Sequence, residues 1–227
     1  MQSNTDKPRK IWFWATKTGS SGEKSLQDKL NLLPARQQGI YHRLNSSKRR
    51  NEYLHSRLLI CSALSSLQPR IPDNSWRIDE QPGRAPVIHG LEFPLYLSLS
   101  HSHELICLTL STLQTGVDVE LMKPDRDFTE AAKLFMTDSE LRQQPTTAKT
   151  RAQYFYRLWC AKEAQYKALP RAEQEKTSLS KIDFEDLQAS RNGWQLLELN
   201  EPLYQISIVH ERLPTPVQLV SNRLNLD

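Results

Sequence analysis

Cysteine is scarce in this chain: of 227 residues only Cys61, Cys107 and Cys160 carry a thiol, and their spacing fits neither a metal finger nor a disulfide framework. Folds held together by zinc or by disulfide bridges are therefore excluded, and reduced thiols are expected. Long apolar runs are absent too, which excludes a helical membrane protein. The segment Met1-Gln2-Ser3-Asn4-Thr5-Asp6-Lys7 has no apolar signal core, so the expected location is the cytoplasm. No helix-turn-helix, RNP or zinc-finger signature supports a nucleic-acid partner, and no internal repeat is visible.

What is present describes an ordinary globular protein, with 38% hydrophobic and 25% charged residues. The length allows one large domain or two small ones of roughly a hundred residues each. The formal charge is only +4, yet basic residues crowd between Arg43 and Arg57, around Lys48-Arg49-Arg50. Such a cluster calls for an anionic partner, and a phosphorylated small molecule suits it as well as nucleic acid does. Arg50 and Arg57, seven apart, fall near one helix face, and guanidinium forks match phosphate oxygens.

Periodicity places the elements. Ile11 to Ala15 reads as an opening strand and Thr18 to Lys24 as a Gly/Ser/Lys loop. Pro34 to Leu44 and Ser46 to Leu67 read as helices, with a loop-rich stretch from Pro69 to Pro94 and a short strand at Pro86-Val87-Ile88. Leu95 to His101 alternates as a half-buried strand, with Leu105 to Leu113 as its partner. If the first of these continued, His101 and His103 would join its leucine face. Thr129 to Phe135 is helical, and Thr137-Asp138-Ser139-Glu140 has capping-box spacing. The Gln143 to Thr150 loop precedes a further helix, and Pro170 to Ser180 is a polar loop. Gly193 to Leu199, Leu203 to Val209 and Val217 to Val220 read as strands of a terminal antiparallel meander.

Two stretches carry chemistry. Tyr154 to Leu169 has no Gly or Pro and reads as a helix ending before Pro170, with Phe155, Leu158, Trp159, Tyr166 and Leu169 on one apolar stripe. Lys162 lands in the middle of that stripe, where a lysine does not belong, and Glu163 and Lys167 lie side by side along its edge. In Gly116-Val117-Asp118-Val119-Glu120-Leu121 the valines and leucine point inward and Asp118 and Glu120 share the opposite face. Two neighbouring carboxylates repel, so a positive group is expected between them. Asp118, Glu120 and Glu163 could together supply hard oxygen ligands, which suits Mg²⁺ completed by phosphate and water. Adjacent lysines are what phosphoryl chemistry needs, because preorganised cations stabilise charge spread over phosphate oxygens. The plainer readings are a snorkelling lysine, a surface ion pair, an exposed acidic strand face and a strand-end histidine. His101 and His103 lack a third ligand for zinc.

Gly116-Val117-Asp118-Val119-Glu120 and Trp159-Cys160-Ala161-Lys162-Glu163-Ala164-Gln165-Tyr166-Lys167 together resemble the paired signature of Sfp-type 4′-phosphopantetheinyl transferases, G-(V/I)-D-(V/I)-E and W-x-x-K-E-A-x-x-K. Arg49-Arg50, Arg57-Leu58-Leu59, Leu99-Ser100-His101-Ser102-His103 and Phe135-Met136-Thr137-Asp138-Ser139-Glu140 follow the family order, the last with one extra residue. The family's Gly-Lys-Pro or Gly-Arg-Pro is Gly83-Arg84 with Ala85 interposed before Pro86. The resemblance implies an α+β fold of two similar α/β halves, 1–113 and 114–227, related by a pseudo-two-fold axis, with the active site in the cleft between them. It implies transfer of phosphopantetheine from coenzyme A to a serine of an apo acyl or peptidyl carrier protein, releasing 3′,5′-ADP. Asp118, Glu120 and Glu163 would hold Mg²⁺. Glu163, Lys167 and Lys162 would be catalytic, and Arg50, Arg57, Arg84, Ser100, His101, Lys162 and Lys167 would contact coenzyme A. A chain that completes its own site is expected to be a monomer. A coenzyme A or nucleotide-binding module without turnover and a Mg²⁺-dependent nuclease are the alternatives; the nuclease pattern places acid-x-lysine on a strand, whereas Lys162-Glu163 lies on a helix.

Overall fold

Along strand β1 (Lys10–Lys17), Ile11, Phe13 and Ala15 face one way and Trp12 and Trp14 the other, and apolar neighbours cover both sets. A strand buried on both faces belongs inside a stack of layers. The computed structural model describes residues 9–18, 23–81 and 84–224. Most of the expected loop after β1, and Pro82 and Gly83, lie outside the described residues.

Helices α1 (Glu23–Asn31), α2 (Ala35–Arg43) and α3 (Ser47–Leu67) come next. Helix α3 starts at Ser46, whose hydroxyl accepts from the Arg49 N–H, and buries Leu54, Leu58, Cys61 and Leu64. Strands β2 (Arg77–Asp79) and β3 (Val87–His89) form a separate two-stranded ladder. β4 (Tyr96–Ser102) and β5 (Leu105–Ser111) are an antiparallel hairpin. One expectation fails on β4, and the condition of another is met only as far as His101. Its turn takes His103 into the left-handed region at φ 54°, so the strand ends before the second histidine. Its more deeply buried face is Ser98, Ser100 and Ser102, not the leucine face, because both sides of the strand are covered.

The second half runs through β6 (Thr115–Leu121), α4 (Thr129–Phe135), α5 (Asp138–Arg142), α6 (Ala148–Ala168), α7 (Arg171–Gln174), α8 (Phe184–Gln188), β7 (Trp194–Glu201) and β8 (Tyr204–Glu211). Thr137 caps α5 in a complete capping box with Glu140. Helices α1, α7 and α8 and strand β2 have no counterpart among the elements expected from periodicity; each is short or strongly polar. The last strand, β9 (Gln218–Arg223), corrects the expected meander. Pro214 and Pro216 follow β8 and cannot extend its ladder. The chain instead crosses back, and β9 pairs in parallel with β1 from Lys10↔Gln218 to Ala15↔Arg223.

The architecture is mixed α+β, with sheet orders β4-β5-β1-β9 and β6-β8-β7. Helix α3 packs with Trp14, Ile106, Leu108 and Leu110 on one face of the first sheet. Helix α6 packs through Phe155, Leu158, Ala161 and Ala164 on the second. Ile11, Phe13, Leu105 and Cys107 of the first sheet meet Val117, Val119, Ile206 and Ile208 of the second between them. The expected division at 113/114 falls between β5 and β6, and β9 crosses it. No helix among the described residues is long and apolar enough to cross a membrane, and all three cysteines are free and buried.

Candidate active site

The site begins with a missing side chain. A Cβ on Gly116 would stand 1.9 Å from the Ala164 carbonyl oxygen and 2.7 Å from the Ala168 N, so only glycine lets the backbone of α6 cross β6 at this distance. That contact brings Glu163 and Lys167, one helical turn apart, over Asp118 and Glu120 on β6. Lys167 Nζ donates to Asp118 Oδ1 at 2.6 Å and to Ser100 Oγ at 3.2 Å, and is the positive group between the carboxylates that the strand pattern requires.

A cleft of about 290 Å³ opens there, lined by Leu99, Ser100, His101, Asp118, Glu120, Trp159, Glu163 and Lys167. β4 of the first sheet forms one wall, and β6 and α6 the other. Ser100 Oγ donates to Asp118 Oδ1 and Ser102 Oγ to Glu120 Oε2, both at 2.7 Å. The Trp159 indole is fixed edge-on by Phe135 and stacked parallel to Phe155, and it lines the cleft with Glu120.

The electrostatics are those of a site short of positive charge. Burial raises the Glu120 carboxyl above its usual range; the Ser102 hydroxyl pulls it down and the Asp118 charge pushes it up again. Burial likewise raises Glu163, against Lys167 and reinforced by Asp118 and Glu120. Asp118 Oδ2 is buried and accepts no hydrogen bond. Among the described residues no three His, Cys, Asp or Glu side chains form a cage that would hold an ion unaided. The set fits instead a hard cation that takes one to three carboxylate oxygens and fills its remaining positions from phosphate and water. The unpartnered oxygen of Asp118 is the ligand such a cation would take.

Four expected site residues lie off the walls of this cleft. Lys162 is fully buried, and its Nζ donates to Glu140 Oε2 at 2.6 Å and to the Phe135 carbonyl at 3.0 Å. The anion it faces is therefore a carboxylate of the protein, which corrects its placement against a bound phosphate. Glu140 also accepts from Thr137 N and Phe184 N, so one ion pair ties α4, α5, α6 and α8 together. Arg57 grips Glu80 with Nε and Nη2 at 3.0 and 2.8 Å, beside the Tyr53 hydroxyl on the same carboxylate. Its fork is thus already filled by an acid. Burial and Glu80 together raise the Tyr53 hydroxyl far above its usual range. Arg50 is half-buried in the first turns of α3, and Arg84 is exposed.

The structure thus gathers Ser100, His101, Asp118, Glu120, Glu163 and Lys167 from three elements. Sequence reasoning leaves out Ser102 and the glycine contact. The alternation Ser98, Ser100, Ser102 is the signal for the first, hidden because the leucines carry the same period.

Residues 114–218 match the family described as the 4′-phosphopantetheinyl transferase superfamily. The chain is 34% identical over 116 residues to the 4′-phosphopantetheinyl transferase HetI of Nostoc sp., covering 48% of each chain. It is 28% identical over 128 residues to the 4′-phosphopantetheinyl transferase AcpT of Escherichia coli, covering 56% of this chain and 61% of the relative. The matched stretch thus spans about half to three fifths of the length of these relatives.

Proposed function

We propose, from the match of residues 114–218 to the 4′-phosphopantetheinyl transferase superfamily, that the protein transfers 4′-phosphopantetheine from coenzyme A to a serine of an apo acyl or peptidyl carrier protein. One observation carries the reading. Asp118 and Glu120 of the first family motif and Glu163 and Lys167 of the second converge in a single cleft, opposite Ser100 and His101 of the other half.

The cleft receives the pyrophosphate. Asp118, Glu120 and Glu163 would hold Mg²⁺, which when bound neutralises the phosphate oxygens and brings them up to the acidic wall. Ser100 and His101 face the same phosphates from β4, and Arg50, on α3, meets the 3′-phosphate. Glu163 takes the proton of the carrier serine. The serine oxygen then bonds to the β-phosphorus, the bond from that phosphorus to the bridging oxygen breaks, and the electron pair leaves with 3′,5′-ADP. Lys167, held at the cleft by Asp118 and Ser100, supplies the cation for the departing phosphate. The two halves, each laying one 21-residue helix on a sheet, are read as the related repeats of this family, and the protein as a soluble monomer acting in the cytoplasm.

Intact-mass spectrometry of an apo carrier protein incubated with coenzyme A and this protein tests the reading. A phosphopantetheine-sized gain with Mg²⁺ that EDTA abolishes is the expected result. Binding of coenzyme A with no gain on acyl or peptidyl carriers would leave a binding module and refute transfer.

A further inference from the structure

Strand β6 is an edge strand, paired with β8 on one side only, and the backbone N–H groups of its other side need acceptors. Ser98, Ser100 and Ser102 of β4 supply them: their hydroxyl oxygens accept from the N–H groups of Val117, Val119 and Leu121 at 3.0, 3.4 and 3.1 Å. The constant offset means that β4 and β6 run in the same direction with a row of serine side chains between them.

Each hydroxyl still has a proton to give. At Ser100 and Ser102 it goes to the carboxylate one residue before the bonded N–H, Asp118 and Glu120 respectively. At Ser98 the same offset reaches Gly116, which has no side chain to receive it. A hydroxyl whose lone pair is committed to a fixed backbone N–H has its O–H direction confined, so the carboxylate that accepts from it is confined in turn.

Resting on the function proposed above, we propose that Ser102 is a positioning residue for Glu120, holding its carboxylate in the orientation in which it meets the cation. Ser98 provides the internal control, since it shares the backbone role and lacks the carboxylate. Ser98→Ala and Ser102→Ala are each expected to lower Tm by about 2–6 °C, from one unsatisfied N–H apiece. Mn²⁺ binding, followed through the electron paramagnetic resonance signal of free Mn²⁺ in the presence of coenzyme A, separates the two roles. Ser102→Ala is expected to weaken it about tenfold, while Ser98→Ala leaves it unchanged and Ser102→Thr, which keeps the hydroxyl, restores it. If Ser102→Ala does not fold, Ser102→Cys, a weak donor of similar size, is expected to show the same loss. Equal Mn²⁺ affinities in the Ser98 and Ser102 variants would overturn the positioning role alone. A wild-type protein that binds no Mn²⁺ would overturn that role together with the cation site beneath it.

Discussion

Replacing Lys162 by methionine separates a structural from a phosphate-binding lysine. The lysine side chain is 0% exposed and Glu140 4%, so neither charge is relieved by water. Methionine keeps the aliphatic length, so little cavity opens, but Glu140 is left as a buried carboxylate with two backbone N–H donors and no counter-charge. Removing one partner of a buried pair costs about 3–5 kcal/mol. In a chain of this length that corresponds to a fall in Tm of about 6–20 °C. Adding Glu140→Gln should recover part of the loss, because the orphan charge goes with it. Thermal unfolding by circular dichroism gives the first quantity, and transfer kinetics measured well below the variant's Tm give the second. KM for coenzyme A is expected to stay at its wild-type value in the folded fraction. An unchanged Tm with a raised KM would refute this reasoning and return Lys162 to the phosphate.

Asp118→Asn and Glu163→Gln should abolish transfer with the fold retained, and without divalent cation Glu163→Gln should melt about 2–4 °C higher, because it removes a charge that burial and two neighbouring acids disfavour. Retained transfer in either variant would remove that residue from the site. Gly116→Ala should lose about 1–3 kcal/mol or more in denaturant titrations and lose transfer with it, since its methyl group collides with the Ala164 carbonyl; a fully active, stable variant would show that α6 need not sit so close. Arg50→Ala should raise KM for coenzyme A more than for the 3′-dephospho analogue, and equal effects on both would take Arg50 off the 3′-phosphate. Burial alone would raise Glu80, but Arg57 and its other partners hold it below its ordinary 4.5. Its contribution is therefore present above that value and lost as pH falls through the lower folded pKa. Glu80→Gln should cost about 2 kcal/mol at pH 7 and flatten the acid limb of stability against pH below about 4.5; an acid limb identical to wild type would show that the pair does not titrate with folding.

Local periodicity is enough to place the acidic wall. Period two puts Asp118 and Glu120 on one face of β6, and a spacing of four puts Glu163 and Lys167 on one side of α6. The anomaly of Lys162 is equally legible, but its cause is not. Glu140 lies 22 residues away on another helix, and nothing in the spacing tells a carboxylate of the protein from a ligand phosphate. Arg57 is the same case, its partner Glu80 being 23 residues off. β9 is recognisable as a strand, while its neighbour is not: joining β1 depends on which sheet edge is open after the prolines, a property of the assembled layers. The serine row is masked for a related reason. On a strand covered on both sides, alternation no longer says which face is the deeper.

The claim on which the rest depends is that the cleft of Asp118, Glu120, Glu163 and Lys167 holds a divalent cation against the pyrophosphate of coenzyme A. A crystal grown with coenzyme A and Mn²⁺, measured for the anomalous scattering of manganese, tests it directly. The peak is expected among those three carboxylates and against the pyrophosphate, within reach of Lys167. A manganese peak elsewhere, or coenzyme A bound away from this cleft, would contradict it.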